Sequence, residues 1–103
     1  MTQGRNMATG QGTVTFDFGT GKGSTRATVT GVTATGMSAA SNLEIYIGGT
    51  DSTAAHNADE HRLIGALSFG AYATAKNANA FDAEAISTLS LTGTVACRFV
   101  WAD

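Results

Sequence analysis

The sequence contains no proline, a single cysteine at Cys97, and few bulky aromatic side chains, with five Phe, two Tyr and one Trp among its 103 residues. One thiol excludes an intrachain disulfide. The absence of proline leaves every strand-like segment eligible for a central place in a sheet, because none loses a backbone N–H to a pyrrolidine ring. The hydrophobic fraction of 43% is ordinary, but much of it is alanine, so the core is expected to be thin. Small domains in this position draw on disulfides, metals or self-association. With the first of these excluded, oligomerisation is the expected remedy.

Charge is sparse as well. Six basic and eight acidic residues give a net charge of −2, and the basic residues form no cluster that could follow a phosphate backbone. Nucleic acid is therefore not an expected partner. No apolar run approaches the roughly 20 residues of a membrane-spanning helix, and the first dozen residues lack the basic and apolar regions of a secretory leader. No membrane partner is expected, and synthesis and folding in the cytoplasm are. The length suits one domain, since domains run from about 50 to 250 residues.

What the sequence does contain is alternation. Residues 1–12 are polar and glycine-rich without a period, which predicts a flexible N-terminal arm ahead of a single domain at 13–103. From Thr13, Val14, Phe16 and Phe18 share one face and Thr13, Thr15 and Asp17 the other, the pattern of a half-buried strand. A glycine-rich turn at 19–24 leads to a threonine-rich strand at 25–32, and the two are expected to form a hairpin. Leu43, Ile45 and Ile47 mark a third strand. Residues 50–62 are the most polar stretch, a surface excursion in which Ser52 is placed to cap a short helical turn.

Leu63, Gly65, Leu67 and Phe69 then predict a strand running on through Ala71 and Ala73, with Tyr72 on its other face and a turn at 76–79. Residues 81–87 fit either a strand or a helical stripe, and the strand is preferred. Val95, Cys97, Phe99 and Trp101 define the last strand. About six to seven short strands between turns predict an all-β fold, a small antiparallel sandwich or barrel.

Candidate chemistry is thin. The segment at 19–25 resembles a phosphate-binding loop only superficially, because Gly23, not Ser or Thr, follows Lys22 and no helix succeeds it. His56, Glu60 and His61 offer imidazole and carboxylate donors, yet their spacing departs from the His-Glu-x-x-His pattern, and an ordinary polar loop is the expected reading. Asp82 and Glu84 are expected on the solvated face of their strand. Cys97, between Val95 and Phe99, is expected to be a buried structural thiol. No nucleophile, base and acid come together, so no catalytic residue, cofactor or metal is assigned and the protein is not expected to be an enzyme. Tyr46, Tyr72 and Trp101 remain as candidates for an interface or ligand contact, since amphipathic aromatics serve both subunit anchoring and sugar stacking.

Three stretches together carry a resemblance: TVTFDFG at 13–19, GTDSTAAHNADEHRL at 49–63 and LTGTVACRFVW at 91–101. They resemble a group of short tailed-bacteriophage proteins encoded among virion genes, over all of the chain but the arm. The alanine-rich segment from Phe81 to Leu91 departs from that pattern. The resemblance implies a virion location and a β-rich particle component, such as a head decoration, head fibre or tail-associated module. It also implies a homo-oligomer, with a trimer as the expected form, and other capsid or tail proteins as partners. A host glycan is the alternative partner, bound at a fibre or tail tip.

Overall fold

Two strands late in the chain organise the fold, because they carry the most complete apolar alternation and take the central position of each sheet. The computed structural model describes residues 8–67 and 69–103. Its elements are β1 (Thr9–Asp17), β2 (Ser24–Thr33), β3 (Asn42–Ile47), α1 (Ala58–Ala66), β4 (Phe69–Asn77), β5 (Ala80–Leu91) and β6 (Thr94–Ala102). The strands form two antiparallel three-stranded sheets, ordered β1-β6-β3 and β2-β5-β4. The protein is therefore an all-β sandwich, with six strands and one short helix among the described residues. Among the described residues no helix is long and apolar enough to cross a membrane.

The two inner faces are complementary in size. The first sheet contributes Phe16, Val95, Cys97, Phe99 and Trp101, and the second answers with Ala27, Ala83 and Ala85 around Phe81. Phe81 and Phe99 meet edge to face with centroids 4.9 Å apart, a favoured aromatic geometry. Alanines opposite aromatics let the layers approach closely, which gives a physical reason for the alanine-rich composition of β5.

Several expectations need correction. Thr9–Gly12 are not part of an arm but the first half of β1, with Gly10 paired to Trp101 and Gly12 to Phe99. A Cβ on Gly10 would meet the Trp101 indole and one on Gly12 the Phe99 ring, so the glycines clear room for two core aromatics. Residues 1–7 of the expected arm lie outside the described residues. β1 and β2 do not form a hairpin, because they belong to different sheets. The ladder of β1 with β6 instead continues past its end, where the Phe18 N–H donates to Gly93 O and the Gly93 N–H to Gly19 O. Residues 19–23 then carry the chain across to the second sheet.

The helix also differs in place and length. Its cap is Asn57 rather than Ser52, in a reciprocal capping box with Glu60 whose two bonds are each 2.9 Å. The helix takes in Leu63 and Gly65, which were expected in a strand, and β4 starts only at Phe69. The helix buries His61 and Ile64, one turn apart, and leaves Leu63 and Leu67 exposed. The period-2 leucines were thus the solvent-facing set.

Candidate functional site

Backbone bonds at the ends of β6 fix its orientation. The Gly93 N–H donates to Gly19 O at 2.7 Å and the Asp103 N–H to Ala8 O at 3.0 Å. Odd-numbered positions therefore present their backbone groups toward β1, and even-numbered ones toward β3. Strand β6 is nine residues long and β3 only six, with pairing that runs from Asn42↔Ala102 to Ile47↔Cys97. Ala96, Thr94 and the preceding Thr92 consequently face the β3 side after β3 has ended.

Side chains of the polar segment occupy the missing strand's place. Thr53 Oγ1 donates to Thr94 O at 2.6 Å, His56 bonds Thr92 O through Nε2 at 2.7 Å, and the Ala96 N–H donates to His61 Nε2 at 2.9 Å. Two residues beyond Ala96, Arg98 grips Asp51 with two parallel bonds, Nε to Oδ2 at 2.9 Å and Nη2 to Oδ1 at 2.7 Å. This is the fork geometry that guanidinium and carboxylate favour. The Arg98 hydrogen bond and charge hold the Asp51 carboxyl below its ordinary range. An otherwise open strand edge is in this way satisfied by side chains.

The two histidines come together, with ring centroids 6.2 Å apart, and three of their four ring nitrogens are hydrogen-bonded. His61 is fully buried. Its Nε2 accepts from a backbone amide, so its Nδ1 carries the proton and donates to Asn57 O at 3.0 Å. A neutral imidazole with both nitrogens so engaged has no lone pair for a metal. Glu60 Oε1 closes the capping box and lies 3.8 Å from His56 Nδ1. Among the described residues no group of three or more His, Cys, Asp or Glu could hold a metal ion.

Asp82 and Glu84 lie on the outer face of β5, where Asp82 accepts the Gly31 N–H at 2.9 Å and Glu84 lies 3.5 Å from Arg26. Cys97 is buried, and burial, reinforced by the Asp51 charge, pushes its thiol up to about 12. It is protonated at neutral pH and shielded from reagents.

The three candidate aromatics separate. Trp101 is buried at 4% exposure beneath Gly10 and Gly36, which removes it from the candidates for an interface or ligand contact. Tyr46 and Tyr72 are exposed at 47% and 61%, and both line one crevice between β3 and β4. Leu43, Ile45, Ala71 and Ala73 also line it, together with Glu44 and Lys76. Lys76 Nζ reaches over to Ser41 O at 2.5 Å and ties the two edges together at one end.

Comparison with known protein families, with curated proteins and with solved structures finds no match to this chain. The geometry alone describes the crevice. Among the described residues β3 and β4 are each paired on one side only. Leu43, Ile45, Phe69 and Ala71 pack on the core yet stay only partly buried, whereas the corresponding residues of β5 and β6 are enclosed. Sequence reading found the tyrosines but not the partnership of Asp51, Thr53 and Arg98 with the β6 edge. The one available signal was the unequal length of two apolar alternations that pair, since a six-residue strand beside a nine-residue one leaves a gap to be filled.

Proposed function

We propose that this protein is a structural component of a bacteriophage particle that builds itself into the assembly through the β3/β4 side of its sandwich. The observation that carries the reading is the crevice, where two strands paired on one side only flank apolar residues that the fold leaves partly exposed. Open edges of this kind are templates for pairing with another chain. The exposed tyrosines supply amphipathic contact area of the kind enriched at interfaces. The resemblance to short virion proteins supports the particle setting, as a head decoration, fibre or tail-associated module. The reading assigns no catalytic residue.

The test is light scattering coupled to size-exclusion chromatography, followed by co-sedimentation with phage particles. A multimer that joins the particle is the expected result. A monomer at every concentration that also fails to bind particles would overturn the reading.

A second reading rests on the same tyrosines. Tyr46 or Tyr72 could stack on a sugar ring while Glu44 and Lys76, which line the same crevice, bond its hydroxyls, making the crevice a host-glycan site. Host polysaccharide that perturbs tyrosine resonances would support it, and unchanged spectra at millimolar sugar would remove it.

A further inference from the structure

We infer that the β3 edge pairs with the β3 edge of a second copy about a two-fold axis through Ile45. The inference rests on the self-association proposed above and names its interface. Because even-numbered residues of β6 face β3, the bonded pairs between these strands are Asn42 with Ala102, Glu44 with Val100 and Tyr46 with Arg98. The backbone groups of Leu43, Ile45 and Ile47 then point away from β6 to the open side.

Three facts favour a second copy as the occupant. First, antiparallel pairing centred on Ile45 sets Leu43 opposite Ile47 and Ile45 opposite itself, so partly buried inner-face residues of the two copies join in one layer. Second, on the outer face Glu44 stands opposite Tyr46 of the second copy, whose cross-strand neighbour is Arg98. The carboxylate thereby meets a hydroxyl donor, and the two copies of Glu44 do not face each other. A slip that centres the axis on Glu44 would oppose like charges, and a one-residue slip would turn the apolar residues outward. Third, the edge of β4 borders the same crevice, so Tyr72 and the alanines flank the same contact. A contact in which each residue meets its counterpart is isologous and closes as a dimer. This replaces the trimer that the resemblance implies.

Cysteine pairs test the register. Across a bonded antiparallel pair the Cα atoms lie about 5.5 Å apart, inside the disulfide range of about 4.4–6.8 Å, so Ile45→Cys should cross-link the dimer on mild oxidation. Glu44→Cys places its two sulfurs across a two-residue offset, roughly 8 Å between Cα atoms, and should not. Ile45→Pro removes an N–H that the monomer leaves pointing outward, and should give a folded monomer by light scattering and Trp101 fluorescence.

A wild-type mass of twice 10.5 kDa, with Ile45→Cys linked and Glu44→Cys unlinked, is the expected result. A multimer in which Ile45→Cys stays unlinked, or Glu44→Cys links instead, overturns this pairing and leaves self-association standing. A wild-type monomer overturns both. If Ile45→Pro fails to fold, the cysteine pair decides alone.

Discussion

Replacing His61 tests whether the polar segment substitutes for strand pairing along β6. His61→Leu keeps the bulk of the side chain but removes the acceptor for the Ala96 N–H and the donor to Asn57 O. A buried amide left without a partner costs about 1–3 kcal/mol, and the imperfect fit of Leu adds about 1 kcal/mol. His61→Gln can return an acceptor near the position of Nε2 and should recover most of the first cost, so the two variants should differ by about 1–2 kcal/mol. Against a stability of roughly 5–15 kcal/mol for a domain, that difference is readily measured. Urea unfolding followed by Trp101 fluorescence, at one fixed protein concentration, gives the midpoints. The slope should stay constant and the midpoints should fall in the order wild type, Gln, Leu. If His61→Leu unfolds at the wild-type midpoint, the amide does not depend on His61 and the strand-substitution argument fails.

The Asp51–Arg98 pair makes stability depend on acid. Because the folded pKa of Asp51 lies below its unfolded value of 3.8, its contribution is complete above that value and is lost as the pH falls through the folded one. Wild type should therefore exceed Asp51→Asn in thermal midpoint at neutral pH, and the gap should close in acid; a gap independent of pH would contradict the pairing. The Cys97 thiol should resist an aromatic disulfide reagent at pH 8 in the native protein and react fully in denaturant, and rapid native reaction would show that it is accessible. Gly10→Val should displace the Trp101 indole, red-shift its emission and cost about 1–3 kcal/mol, and an unchanged spectrum would place Trp101 elsewhere.

Much of the sandwich was legible because period-2 alternation is a direct consequence of one buried face. Strands β3, β5 and β6 and the second half of β1 follow their apolar alternation closely, and the buried thiol and solvated β5 carboxylates follow from the same pattern. Pairing was less legible. The expected β1–β2 hairpin assumed that neighbours in sequence pair, whereas among the described residues only β4 and β5 are consecutive partners within a sheet, and β1 closes instead on the last strand.

The glycines at 10 and 12 look like arm residues until Trp101 and Phe99 are seen lying over them. Leu63, Gly65 and Leu67 alternate like a strand, but the capping box of Asn57 and Glu60 starts a helix just before them. The candidate site was half visible. Tyr46 and Tyr72 were found by residue type, while the roles of Asp51, Thr53 and His61 depend on a length mismatch between strands far apart in the sequence.

Residue-resolved hydrogen exchange on β3 tests the central claim most directly, because it asks whether the open edge is covered. In the assembled protein the amides of Leu43, Ile45 and Ile47 should be protected to the same degree as those of Glu44 and Tyr46, which bond to β6. Fast exchange at the odd-numbered positions with the even ones still protected would mean that the edge faces water, and the assembly account would be wrong.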